Sequence, residues 1–284
     1  MSGRPRWVVG CGIGCAVLLL AGAGACVLGA LYMRHTFRGI EKASESHDAL
    51  VGALGEIDAF VPPASGAPSP DRVELFLEVR EATAPERQEA ERLLAQLPPP
   101  ELQEGSVAGR VRVGLGVLGD LIDGIGVYLQ ARDRALLERG MSVGEYVYLY
   151  TLAYHSWLGH EPGEGAEIRS EPEGVRIDAF DDDALFGDAA VRRRYRRHVL
   201  GMLARQGDTA ANAPQPDEAW LAALREESHR MEVDPGRVLW RDSVPPAIEA
   251  SLSPFRRRLE ATWSAPANRL ELPLVEHETP WEWV

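Results

Sequence analysis

No cysteine follows Cys26. The three cysteines of this 284-residue chain, Cys11, Cys15 and Cys26, all lie in one N-terminal apolar stretch. The remainder therefore holds neither a disulfide framework nor a thiolate zinc site. Lysine is as scarce: of 30 basic residues only Lys42 is not arginine, a skew that reads as arginine-rich coding rather than chemistry. Positive charge is also in deficit. With 43 acidic residues the formal net charge is −13, which argues against general attraction to nucleic acid or to anionic lipid over the whole surface. No nucleic-acid partner is expected.

Chemical signatures are missing too. The glycines between 114 and 126 do not fall into the GxxxxGK[ST] or GxGxxG spacing that cradles phosphates after a strand. The fragment HSWLG sets Ser156 beside His155, but no GxSxG elbow surrounds that serine. There is no internal repeat of the kind that builds a solenoid. Nothing implies a resident metal or cofactor.

What the chain does have is a long uncharged run. Between Arg6 and Arg34 stands WVVGCGIGCAVLLLAGAGACVLGALYM, about 27 residues against the about 20 needed to cross a bilayer core. Trp7 and Tyr32 sit near its ends, where amphipathic rings favour the lipid boundary. Residues 7–33 therefore read as a single-pass anchor acting as a signal-anchor. Two processing readings compete: cleavage among Ala21, Ala23 and Ala25, or a lipoprotein modified at Cys26. Both would leave Val27, Leu28, Ala30 and Leu31 as an unusually apolar new terminus. The six-residue tail is easily retained in the cytoplasm, so the following domain is expected to be extracytoplasmic, although Arg4 and Arg6 nearly balance Arg34, Arg38 and Lys42. Gly10 and Gly14 stand in GxxxG spacing, a face on which two anchors can form a homodimer.

Behind the anchor the periodicity is helical. The organisation expected is a tail over 1–6, the anchor over 7–33, a juxtamembrane helix over 34–60, a proline-rich loop over 61–70 and a helical soluble domain over 71–284. The fold class is all-α, a multi-helix orthogonal or bundle-like domain with long loops. A helix opens near Ser69 or Asp71, and a long one runs from Ser106 to Arg139, its four-and-three apolar spacing interrupted at Arg132. Its opening RVRVGLGV alternates like a strand as well. Ser142 and Glu145 stand at capping-box spacing before an aromatic helix carrying Tyr146, Tyr150, Tyr154 and Trp157. Residues 161–188 form an acidic loop. Later helices are expected over 191–205, 216–231 and 246–263, and the tail from Arg269 alternates as an extended segment would.

Three constellations carry possible chemistry. Asp120 and Asp123, one turn apart, can meet Glu145 and His155 if their helices pack together, a carboxylate and histidine set suited to acid-base work or hydrolysis. Arg193, Arg194 and Arg197 offer a basic face for anionic lipid or polymer. Tyr148, Trp281 and Trp283 offer aromatic contacts for a partner. A single ExxH, from Glu226 to His229, lacks the second copy that a carboxylate-bridged di-metal site needs, so no metal is assigned. No complete catalytic set is present, and the reading favoured is a membrane-tethered binding or scaffold module of the bacterial cell envelope with a protein partner there. A membrane-bound hydrolase and an anionic lipid or polymer sensor are the alternatives.

Overall fold

The computed structural model describes residues 38–95, 107–165 and 188–272. The segment expected to be an anchor, with Gly10, Gly14 and Cys26, most of the expected acidic loop, and the tail with Trp281 and Trp283 lie outside the described residues. Among those described there is no strand, and no helix is long and apolar enough to cross a membrane. The fold is all-α, and the strand alternative for RVRVGLGV gives way to helix.

Chain order is α1 (Arg38–Leu54), α2 (Pro70–Ala82), α3 (Ala84–Ala95), α4 (Val107–Glu138), α5 (Val143–Tyr150) running into a π-helical segment (Thr151–Trp157), α6 (Asp188–Ala211), α7 (Glu218–Val233), α8 (Pro246–Leu252), α9 (Arg256–Thr262) and α10 (Ala265–Glu271). Two boundaries differ from expectation for local reasons. The single helix expected over 246–263 breaks into α8 and α9 around a 3₁₀ turn at Ser253–Phe255, where Pro254 can neither donate to the preceding turn nor fit inside a helix. The first residues of the segment expected to be extended, Arg269 to Glu271, instead end α10; beyond Leu272 that segment lies outside the described residues. Ser264 caps that helix by accepting from the Ala267 amide at 3.2 Å, and a proline occupies its first turn, so start signals outweigh the leucine alternation.

α5 is the centre. Ser142 caps it by accepting from the Glu145 amide, and every residue of Val143–Tyr150 except Glu145 is buried, as befits a helix surrounded on all sides. Phe76 of α2 meets Tyr146 at 5.2 Å between ring centroids, and Tyr150 meets Tyr154 at 4.7 Å. Val199 and Leu203 of α6, Leu224 and Met231 of α7, Leu252 of α8 and Leu259 of α9 complete the same core. Close approach requires Gly144, where an added Cβ would run into the Ile57 carbonyl and Phe60.

α1 is part of this body. It packs along α4 more extensively than any other two elements meet. Ala43 and Leu50 are buried seven residues apart, with His47 between them on the same face. His47 faces Asp133, and just past the C-terminal ends of both helices Ile57 lies against Gly144, so the two helices run parallel. The juxtamembrane helix expected over 34–60 is thus a packed element that ends at Leu54 and turns at Ile57–Ala59.

Candidate functional site

The predicted carboxylate and histidine set does not assemble. Asp120 and Asp123 border an open groove of about 630 Å³ between α3 and α4, together with Glu86, Glu89 and Arg92. Glu145 lies beyond the C-terminal end of α4. From Asp123 to the end of α4 at Glu138 the helix rises about 22 Å, and Glu145 is held just past that end by Arg72, which pairs with its carboxylate and donates to the Gly140 carbonyl at 3.2 Å. Among the described residues no group of three or more histidine, cysteine or acidic side chains is placed to hold a metal ion.

His155 is buried at 2 % exposure in the π-helical segment. Its Nδ1 lies 3.0 Å from the His160 carbonyl, which makes Nδ1 the donor. The ring meets Tyr150, Tyr195 and Trp263 edge-on. Within the described residues its Nε2 and the Thr151 hydroxyl have no hydrogen-bond partner. Burial pushes the imidazole down to about 4, only partly opposed by the bond to His160. The ring is therefore neutral at physiological pH.

A sign follows for stability. The unfolded chain binds a proton at this ring near pH 6.5 and the folded chain only near 4, so stability falls as pH drops through that window, by up to ~3 kcal/mol when complete. His198, only partly buried, is pushed in the same direction. Urea unfolding followed from pH 7 to 4 is expected to show this loss, and a His155→Gln variant to show a flatter profile.

The basic face is consumed by the fold. Arg192 bonds Asp188 at 3.0 Å and Glu161 at 3.2 Å, while Arg196 donates to the Met231 and Glu232 carbonyls that end α7. Arg194 is buried at 2 % exposure, and Arg193 and Arg197, though exposed, are both engaged in interactions. Tyr148 is corrected from partner contact to core: it is 2 % exposed, donates its hydroxyl to the Gly66 carbonyl and packs on Phe60. Glu226 pairs with Arg230 along α7, which leaves the ExxH spacing as helix-surface charge.

What the fold does bring together is a buried charge network. Arg80 of α2 and Glu271 of α10, each with a fully buried side chain, form an ion pair. Tyr128 and Tyr146 donate hydroxyls to Glu271 at 2.6 and 2.8 Å. Arg80 also donates to the Thr262 carbonyl at 2.6 Å and lies over the rings of Tyr150 and Tyr154. Arg132 of α4 bonds the Leu270 carbonyl, stands 3.8 Å from Glu271 and reaches Asp133 at 3.1 Å. Asp133 in turn meets His47 at 3.2 Å. Two buried cations thus face two buried carboxylates, with a histidine at the rim.

Burial alone would raise the Glu271 carboxyl. Arg80 and Arg132, helped by the two tyrosine hydroxyls, outweigh it and hold the group below its ordinary value. Asp133 behaves alike, with burial opposed by Arg132 and His47. These carboxylates are ionised and fully bonded, which suits a structural clamp rather than a proton donor or base.

A second buried acid does similar work. Glu227 receives Arg237 through both oxygens at 3.0 and 2.9 Å and the Trp240 amide at 2.8 Å. It thereby holds Trp240 in a left-handed conformation, φ 54°, that a bulky residue adopts only when its surroundings impose it. None of Arg80, Glu271, His47 or Glu227 was singled out from the sequence. The one visible trace was Arg132, which interrupts the apolar repeat of α4.

Comparison of the chain with protein-family models, curated proteins and solved structures finds no match.

Proposed function

We propose that this chain is a membrane-tethered helical binding or scaffold module of the bacterial cell envelope rather than an enzyme, with a protein as its partner. The observation that supports it best is the construction of α1. The helix directly behind the apolar run buries Leu50 in the main core and joins the polar network through His47. A domain built onto its own tether in this way is held at a set position, as a docking platform requires and as a flexible linker does not provide.

The hydrolase alternative has little support, because Asp120 and Asp123 share one groove while Arg72 holds Glu145 past the C-terminal end of α4 and His155 is enclosed among aromatic rings. The sensor alternative loses its support because the arginines of α6 are engaged within the chain.

The test uses the full-length chain in its native membrane. Resistance to alkaline carbonate extraction, protease access from the extracytoplasmic side and recovery of one reproducible protein partner after crosslinking are the expected results. Release by carbonate, protection from external protease or no reproducible partner would each overturn the corresponding part.

A further inference from the structure

We infer that the contact between His47 and Asp133 is a pH-sensitive latch that sets how tightly α1 is held on the body of the domain. Geometry carries the inference. His47 is the residue of α1 that enters the charged network, and its side chain keeps 32 % exposure while that of Asp133 keeps 2 %. Protons therefore reach one partner from solvent, whereas the other is fixed. Asp133 cannot turn away to follow a departing histidine, because Arg132 holds its second oxygen through two nitrogens at 3.2 and 3.1 Å. Arg132 is held in turn by the Leu270 carbonyl and by Glu271. The anionic half of the latch is thus anchored through α4 and α10, and the proton-binding half rides on α1.

The charged groups facing His47 are Asp133 and Arg132 on α4 and Asp48 on α1 itself. The bond to Asp133 raises the imidazole above its ordinary value; burial opposes it, Arg132 lowers it and Asp48 adds a smaller rise. Because the folded value lies above the unfolded one, the contribution to docking is complete below about pH 6.5 and is lost as pH rises through the folded value. The dependence is opposite in sign to that of His155. The buried histidine weakens the whole domain in acid, and the rim histidine loosens one helix in alkali.

The neutral ring, in its Nδ1–H tautomer, still donates one hydrogen bond to the Asp133 carboxylate, so α1 does not detach, and Leu50 remains in the core. What changes is the frequency with which α1 opens. The consequence for the tether rests on the membrane-module reading above, while the latch itself is a property of the described residues and is tested independently of it.

The experiment is amide hydrogen exchange on the full-length chain in detergent, at about pH 5.5 and about pH 8.5 with intrinsic rates corrected, together with an NMR titration of His47. Amides of α1 are expected to exchange several-fold faster at the higher pH, those of α5 to keep their protection, and His47 to titrate above a free histidine. His47→Gln, a rim substitution chosen to preserve folding, is expected to abolish the difference in α1. Equal α1 protection at both pH values, or an unchanged difference in His47→Gln, would overturn the latch. Neither result bears on whether the chain is membrane-bound, which the carbonate and protease measurements decide.

Discussion

Glu271→Ala is expected to cost on the order of 3–5 kcal/mol, a large share of the about 5–15 kcal/mol that holds an ordinary domain folded. Truncation deletes the carboxylate that neutralises Arg80 and most of what Arg132 meets on that side. It also strands the hydroxyls of Tyr128 and Tyr146. Four buried donors from three helices then converge on a space that offers them no acceptor, and leaving such groups unpaired costs more than the intact pair contributes. Removing both charges separates these effects. In Arg80→Met/Glu271→Leu, Arg132 retains Asp133 at 3.1 Å, so the double variant is expected to be more stable than Glu271→Ala alone. Chemical denaturation of the unsubstituted protein and the two variants measures that difference. A loss under about 1 kcal/mol for Glu271→Ala would mean that the network does not hold the fold together.

Leu50→Ala is expected to cost about 2–5 kcal/mol for the entire domain. The reason is where Leu50 sits. It is 0 % exposed and belongs to the same core cluster as the aromatic residues of α5, although it lies on the helix nearest the apolar run. A cavity there is a cavity in the main core, and unfolding of the domain should remain one transition with an earlier midpoint. Lys42→Ala, at an exposed position of the same helix, is the matched control and is expected to change stability by less than about 0.5 kcal/mol. If α1 were only a connector, the two substitutions would have the same negligible effect.

The sequence made the helices legible where periodicity and caps agreed. The pair Ser142 and Glu145 marked the start of α5, and the amide bond to Ser142 forms as that spacing implies. The other half of the capping box does not, because Arg72 draws the Glu145 carboxylate away. The long repeat from Val111 to Leu136 marked α4, and its break at Arg132 proved to be the point where that helix turns a charge inward.

The network itself was not legible. Arg80 and Glu271 are 191 positions apart, and each reads locally as an ordinary charged residue on an amphipathic helix. Only tertiary packing makes them buried, and spacing rules describe one helix at a time. The same blindness affects Tyr148: on a helix where only Glu145 is not buried, a tyrosine off the expected stripe is buried as deeply as those on it. The proposed acid-base set failed for a comparable reason. It required α4 and α5 to place Asp123 beside Glu145, whereas Asp123 lies midway along α4 and α5 starts only past that helix's C-terminal end.

The central claim is that the helix behind the apolar run is a structural member of the domain and not a linker. It is tested most directly by amide exchange across α1 in the chain carrying its apolar run, near neutral pH. The account predicts that amides around Ala43 to Leu50 are protected to within about tenfold of those in α5, since Leu50 belongs to the same core as the aromatic residues of α5. Exchange of those amides at the rate of an unstructured peptide, with α5 still protected, would contradict it.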